Sequence, residues 1–581
     1  LENENQYMHS FVEISLDNKD LAQIDYIYTN SFVLAEDMEG LWSIPPVDSL
    51  YSMHIGKYEM SLGQPIYANG FYMGSEFPMA ETDIVNNITQ MRYYSGKTFT
   101  RMEADDLLTT DGKFVSWQNV IGSAAQVDTA VVQTDFFAYI EDIATPTEFR
   151  KQYNSWYDNM MNITDESIAK SFLGTESYLS ANGIEPLDSY VVDDGYNNYY
   201  SKIDDTIYVG PEAGAGSVEP NRTGFWEFNH KFPNELYTSS ALVQKLQSTF
   251  GLWLGPRGGY NYNNKFGQYL EAMGTAYYSS NSSDICVAST RYIENLKTWF
   301  ADYQKRFDIY YWKLDGFSRK ACTNAEHDHM VGGPNNAYYT SDLWEKWIDL
   351  FEYARASRAE EGKGLFINAT SYLNLSPWLL QWVNVVYIQN SADTGQLGSG
   401  DRHEQKIYYR DQAYYNICKE NQHQFPLKNI YNHDPIYGVS DNSSATTATF
   451  REFMFANAMR GTAFWELYFS PSIMDADKWM VTADALSWAE ENHEILKNAK
   501  LFGTSPNKAN IYGYSCWTDE EGIISITNPK AEAVEYSIVL NEGIGVTSAI
   551  QNLTGIQIEP YATGTLSQTA SYGDTLTVSL Q

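Results

Sequence analysis

One run of eight residues, Tyr310-Tyr311-Trp312-Lys313-Leu314-Asp315-Gly316-Phe317, narrows the fold before anything else in the chain does. With Phe307 and Ile309 ahead of it, the first half is bulky, aromatic and β-prone, which predicts a buried strand. A lysine, one apolar residue and an aspartate then arrive together, followed at once by glycine. Charges at the end of an apolar strand are costly unless they face a pocket. In a barrel of parallel strands, the carboxyl ends are where chemistry sits. Asp315 therefore reads as a nucleophile and Lys313 as a cation aimed at the same substrate. The plain alternative is a strand end closed by a surface ion pair.

The surrounding chain supports a barrel. From about residue 148, short apolar runs alternate with helical patterns, the signature of βα units around a parallel sheet. Expected strands are Tyr153–Tyr157, Ser189–Gly195, Phe250–Pro256, Phe307–Asp315, Gly364–Asn368, Trp382–Ile388, Ile430–His433 and Gly461–Glu466. Between them, Thr164 is placed to cap a helix, and Ile293, Leu296, Phe300 and Tyr303 share one helical face. Ser341 is expected to cap a helix that turns Leu343, Trp347 and Leu350 inward. Eight such units over residues 148–503 predict a (β/α)₈ barrel with long loops.

The flanks read as β structure. In residues 1–147, runs such as Phe11–Ser15, Gln64–Ala68 and Val131–Thr134 lie between turn signals, with no long amphipathic helix evident, so a β-sandwich is expected. In residues 504–581, Ile523–Thr527, Tyr536–Leu540 and Leu576–Leu580 alternate with period two, which predicts a small antiparallel sandwich.

The 581 residues exceed one core, and the net charge of -36 repels nucleic acid and anionic membranes while suiting a neutral substrate. No apolar run is long enough to span a membrane. The aromatic share is 15%, with 45 Tyr, 27 Phe and 15 Trp, and flat apolar faces with polar edges suit sugar rings. Cys286, Cys322, Cys418 and Cys516 form no Cys-x-x-Cys pair and no zinc spacing. Glu326-His327-Asp328-His329 has the residue types of a metal site but no distant partner to complete it. It reads as a solvated loop, so no metal and no cofactor are expected.

The candidate carboxylates collect on strand ends that share one mouth: Asp193 and Asp194 after the second strand, Asp315 after the fourth, Asp393 after the sixth. A glycosidase needs two carboxyl groups flanking the scissile bond. Asp315 has a cation two residues away on the same side of its strand, which favours the ionised form a nucleophile needs. Asp393 has no cation close in sequence, as suits a general acid, though it also fits a helix cap. His433 and Glu466, at the ends of the seventh and eighth strands, are placed to line the pocket.

These motifs, in this order, resemble the retaining α-galactosidase and α-N-acetylgalactosaminidase clan, especially glycoside hydrolase family 36. Asp193-Asp194-Gly195-Tyr196 is similar to the family's Asp-Asp-Gly-Trp, whose aspartates hold the galactose hydroxyls. Phe225-Trp226-Glu227 with Lys231–Leu236 is similar to its Asp-Trp segment and Lys-Phe-Pro-x-Gly-Leu. Phe250-Gly251-Leu252-Trp253-Leu254 is similar to Phe-Gly-Leu-Trp-Phe, and Lys313-Leu314-Asp315-Gly316 to the Lys-x-Asp nucleophile signature. Asp393 lies where the acid/base aspartate is expected. The likeness covers about residues 150–500.

There are departures. Trp-Phe-Glu-Pro-Glu after the third strand is here Trp253-Leu254-Gly255-Pro256-Arg257. Cys-Ser-Gly-Gly-Gly after the fifth is Asn368-Ala369-Thr370-Ser371-Tyr372. Ser-Asp-x-x-Asp after the sixth is Ser391-Ala392-Asp393-Thr394-Gly395, with Asp401 in reserve as acid/base. Arg257 would bind a substituent of the sugar or pair with a loop carboxylate.

The resemblance implies an exo-acting retaining hydrolase that removes terminal α-linked galactose or N-acetylgalactosamine from an oligosaccharide or glycan. Asp315 and Asp393 would be catalytic, and Asp193, Asp194, Lys313, Trp226, Trp253, Arg257, Asn368 and His433 would contact the sugar. A transglycosylase of the same clan and an inactive carbohydrate-binding homologue remain open beside it. Such an enzyme is expected outside the cytoplasm of a bacterium, at the surface, in the periplasm or secreted.

Overall fold

The computed structural model describes residues 6–17, 23–45, 62–197, 202–203, 206–207, 226, 228–229, 231–260, 263–281, 284–317, 320–508, 510–518, 520–530, 532–546, 553–558, 568–570 and 572–580. At its centre is a nine-stranded sheet in which neighbouring strands are parallel. In chain order the strands are β1 (Arg150–Asn154), β2 (Ser189–Val192), β3 (Thr249–Leu254), β4 (Ile309–Leu314), β5 (Phe366–Ala369), β6 (Val385–Tyr387), β7 (Ile430–Tyr431), β8 (Ile436–Tyr437) and β9 (Phe464–Phe469). Their order across the sheet is β7-β6-β5-β4-β3-β2-β1-β9-β8. The two ends of this order, β7 and β8, are nearly contiguous in the chain. The gap is bridged by Thr462 just before β9, whose hydroxyl donates to the Ile430 carbonyl at 2.8 Å.

Helices alternate with these strands, as the periodicity predicts. Helix Thr290–Phe307 is capped by the Ser289 side chain and buries Ile293, Leu296, Phe300 and Tyr303. Left-handed Asp308 (φ 54°) ends it and turns the chain straight into β4. Helix Ala337–Ala359 buries Leu343, Trp347 and Leu350 as expected, but Ser341 is inside it rather than at its cap. The helix begins earlier because Gly332-Gly333-Pro334 is the true break, and nothing in the following Ala-Tyr-Tyr-Thr opposes a helix.

The N-terminal part contains a five-stranded sheet and a three-stranded one, both antiparallel. One segment differs in kind from the expectation. Val131–Thr134 is the start of a 15-residue helix, Thr129–Ile143, not a strand. Asp128 caps it by accepting the Ala130 N–H at 2.8 Å, and Val131, Val132, Phe136, Tyr139 and Ile140 are buried along one face. Burial at helical spacing overrides the β preference of the paired valines. Phe136 sits 5.5 Å from Trp378, so the helix is packed between the N-terminal sheet and the central sheet's loops.

The C-terminal sheet takes its first strand from Lys500–Gly503, antiparallel to Tyr512–Trp517, which pairs in turn with Glu521–Thr527. It is not wholly antiparallel: Leu553–Ile558 runs parallel to Glu521–Thr527. The long stretch between these two strands, which includes strand Val534–Val539, supplies the crossover that a parallel pair requires. Tyr512 and Tyr514 dock this sheet on the centre by donating to the two Asp411 oxygens at 2.7 and 2.9 Å.

Candidate active site

Because the nine strands are parallel, their carboxyl ends share one rim. A cavity of about 350 Å³ opens there, lined by residues that follow β1, β2, β3, β4, β5, β6 and β7. Asp193, Asp194, Trp253, Lys313, Asp315, Asp393 and His433 all line it.

Asp315, one residue past β4, is held by three neutral donors. Thr370 Oγ1 and Tyr260 Oη reach Oδ1 at 2.5 and 2.9 Å, and Trp253 Nε1 reaches Oδ2 at 3.2 Å. Burial, reinforced by the Asp315 charge, pushes the Tyr260 hydroxyl up, so it remains a donor. The backbone contributes as well: the Asp315 N–H donates to the Leu254 carbonyl at 2.7 Å, tying the residue to the end of β3.

Lys313 is not paired with Asp315. Its Nζ lies 2.9 Å from Asp193 Oδ2 and 3.0 Å from Tyr468 Oη. Burial opposes its charge, but Asp193, with Glu466 and Asp315 behind it, outweighs burial and raises the ammonium pKa. Asp193 also accepts from Asn154 Nδ2 at 2.7 Å, yet desolvation holds its carboxyl above the usual range.

Asp393 lines the same cavity and is about a third exposed (37%). Tyr157 Oη donates to its Oδ2 at 3.2 Å, and His433 Nε2 is 3.8 Å from the same oxygen. His433 is stacked on Tyr468 at 4.3 Å, and burial lowers its pKa, keeping the imidazole neutral. The backbone around Asp393 is pinned by Arg410, which donates to Ser391 Oγ at 2.6 Å and to the Asp393 carbonyl at 3.0 Å. Tyr372 (φ 69°) and His433 (φ 63°), both in the lining, adopt left-handed backbone that bulky residues seldom take.

No protein-family model and no curated protein matches the sequence. Solved structures do match. The family 36 α-galactosidase AgaA from Geobacillus stearothermophilus aligns at a TM-score of 0.54 over 90% of this chain and 68% of its own, with 11% identity. The chain has the fold of the family 36 α-galactosidases. AgaB from the same organism gives 0.51 at 12% identity, covering 90% of this chain and 67% of its own. The galactosidase domain of the α-galactosidase–sucrose kinase AgaSK gives 0.51 at 10%, with the same coverage.

Within this family 36 fold, several residues expected at the sugar lie elsewhere. Trp226 is fully buried against Phe266 and Trp299, outside the cavity lining; Phe225 and Glu227 beside it lie outside the described residues. Tyr303 donates to the Trp226 carbonyl at 3.0 Å, and the indole is turned into the core. Asn368 points into the sheet interior below the cavity and donates to Tyr311 Oη at 2.9 Å. As a β5 residue it lies one level beneath Thr370, which is the residue that reaches Asp315.

Arg257 is buried (6% exposed) behind the lining, its guanidinium over Tyr260 and Tyr372 at 5.2 and 5.1 Å. No loop carboxylate pairs with it among the described residues. Glu466 also sits below the cavity, accepting from Gln152 at 2.8 Å, Asn154 at 3.1 Å and Tyr311 at 3.3 Å. Asp401 is a helix cap: it accepts the His403 and Glu404 N–H groups at 2.7 and 3.1 Å and does not line the cavity.

The lining also includes Thr370 and Tyr372, from the stretch that departs from the family pattern, and Trp156, Tyr157, Tyr260, Tyr387 and Tyr431, which sequence reasoning did not single out. In a chain with 45 tyrosines, a tyrosine just past a strand carries little signal of its own. A place at or just past a strand end is the only mark they bear. The run at 326–329 is likewise not a solvated loop, because His327 and His329 are 7% and 5% exposed.

Proposed function

We propose that this chain is a retaining exo-acting glycoside hydrolase that removes a terminal α-linked galactose or N-acetylgalactosamine. One observation carries the reading: Asp315 and Asp393 line a single cavity, with Asp193, Asp194 and Lys313 also in its wall. The nine parallel strands then close as the expected (β/α)₈ barrel, residues 430–437 supplying its seventh strand, flanked by an N-terminal and a C-terminal β-sandwich. AgaA variants have been solved in complex with stachyose and raffinose, which supports an oligosaccharide substrate. The cavity is at the small end of ligand pockets, roughly 300–1,000 Å³, which suits one terminal sugar rather than the middle of a chain.

In this mechanism Asp315 attacks the anomeric carbon while Asp393 protonates the leaving oxygen. The three donors on Asp315 fix its carboxylate plane and leave it no freedom to rotate away. The covalent glycosyl-enzyme is then hydrolysed by water that Asp393 deprotonates. Tyr157, protonated because burial and the Asp393 charge push its hydroxyl up, orients Asp393 through both steps. Asp193, Asp194 and Lys313 hold the ring hydroxyls, and Trp253 offers a face to the sugar's C–H side. Export from the cytoplasm of a bacterium is the matching location.

The test is a panel of aryl α-glycosides (galactose, N-acetylgalactosamine, galactosamine, glucose) combined with a fluoro-sugar trap and peptide mapping. Turnover of one galacto-configured substrate with a single adduct on Asp315 supports the reading. More than a few per cent of activity left in Asp315→Asn, against the roughly 10⁴-fold loss expected for a missing nucleophile, would sink it.

A further inference from the structure

Away from the cavity, four side chains that the mechanism does not use converge. Sγ of Cys286 and Cys322 and one ring nitrogen each of His327 and His329 all lie within 4.8 Å of one another, and all four residues are buried. We propose that they form a structural zinc site. A tetrahedron with Zn–S bonds of about 2.3 Å and Zn–N bonds of about 2.0 Å has edges of roughly 3.3–3.8 Å, so small side-chain movements complete it. Two thiolates and two imidazoles are a closed tetrahedral donor set that suits zinc.

The surroundings orient His329 as they would a ligand. His329 Nδ1 donates to the Met330 carbonyl at 2.8 Å, which fixes the tautomer and leaves Nε2 as the nitrogen with a lone pair. That Nε2 is buried and has no hydrogen-bond partner. An orphaned buried imidazole nitrogen costs stability, and a metal bond removes the cost. His327 turns Nδ1 to Cys322 Sγ at 3.4 Å and is stacked on Tyr277 at 4.4 Å; its Nε2 accepts from Asn324 Nδ2 at 2.9 Å, so ligation through Nδ1 requires that amide to turn over. A disulfide between Cys286 and Cys322 would leave the His329 nitrogen orphaned, and the structure has both thiols free.

The site explains how a long loop holds its shape. Residues between β4 and Pro334 contain no helix or strand among those described, a length that is unusual for a loop without another constraint. Three ligands come from this loop, which begins at Asp315. The fourth, Cys286, lies just before helix Thr290–Phe307. Asp328, between the two histidines, accepts the Thr290 and Arg291 N–H groups, each at 2.9 Å, so loop and helix start are already in register. Zinc would tether the loop that follows the nucleophile to the helix packed behind it.

The test uses the full chain expressed with zinc in the medium. Metal analysis of the purified protein should give close to one zinc per chain, lost in Cys322→Ser and in His329→Ala and retained in the neighbouring surface variant Glu326→Gln. Should the ligand variants fail to fold, the wild-type protein decides the matter. After chelation it should expose two further thiols to a thiol reagent and lose thermal stability. Added Co²⁺ should then give the d–d bands and thiolate charge-transfer absorption of a tetrahedral sulfur site. Protein that carries no zinc and takes up no cobalt, zinc content unchanged in Cys322→Ser, or an intact mass showing a Cys286–Cys322 disulfide would each overturn the proposal.

Discussion

Lys313 Nζ and Asp193 Oδ2 form a 2.9 Å ion pair whose two side chains are each only 3% exposed. Removing one partner of such a pair leaves a buried charge without compensation, which costs about 3–5 kcal/mol. Lys313→Met is therefore expected to lose stability on that scale in urea unfolding, and Lys313→Met with Asp193→Asn together to recover part of it. If the single and double variants are equally unstable, the pair is not what holds this wall of the cavity.

Thr370 is the shortest of the three contacts to Asp315, at 2.5 Å. It has no part in bond making, so its effect runs through the position of the carboxylate. Thr370→Val keeps the shape and removes the donor. The expected result is a fall in kcat of roughly 10- to 100-fold with little change in thermal stability. An unchanged kcat would show that Tyr260 and Trp253 position the nucleophile without it.

What the sequence disclosed follows from how local each signal is. The β4 run was legible because strand and charge lie within eight residues, and Asp193, Asp315 and Asp393 because strand ends mark themselves. Partnership was not legible. Lys313 looks toward Asp315 when only strand alternation is considered, yet it bonds Asp193, 120 residues away, because β2 and β4 both face the sheet interior. The donors on Asp315 come from the ends of two other strands, Trp253 and Tyr260 from β3 and Thr370 from β5. The Cys286 and Cys322 thiols look scattered until the loop after β4 folds back beside the helix start at Thr290. Val131–Thr134 failed for a different reason: β propensity was read where a buried helical face decides.

His403 is a pH-sensitive point of the fold. It is fully buried between Tyr437 at 5.3 Å and Phe453 at 5.1 Å, and neither ring nitrogen has a hydrogen-bond partner. Burial, helped by Lys406 and opposed by Asp401 and Asp441, lowers its pKa to about 4. The unfolded chain takes up the proton near pH 6.5 and the folded one only near 4, so stability falls as pH drops through that window. The loss from this residue is on the order of 3 kcal/mol and is complete below the folded value. His403→Phe fits the aromatic surroundings and should be less sensitive to acid than wild type between pH 6.5 and 4, as read by unfolding midpoints across that range. His493, also lowered to about 4 by burial, acts in both proteins and cancels in the comparison. Parallel pH profiles would show that His403 is protonated in the folded state.

Asp393 and Asp401 are separated by their surroundings, and that gives opposite expectations. Asp393 lines the cavity with Tyr157 and His433 on it, whereas Asp401 satisfies two backbone N–H groups at a helix start. Asp393→Ala should lower kcat/KM for sugar leaving groups by roughly 10²–10⁴-fold, the usual range for a lost general acid. The loss should be smaller for a nitrophenyl leaving group, which departs without a proton, and azide should restore turnover by attacking the glycosyl-enzyme. Asp401→Ala should instead lose about 0.5–2 kcal/mol of stability with kcat unchanged, the cost of a missing cap. The reverse pattern, with azide rescue appearing in Asp401→Ala, would move the acid/base role to the helix and require the loop between them to close over the cavity.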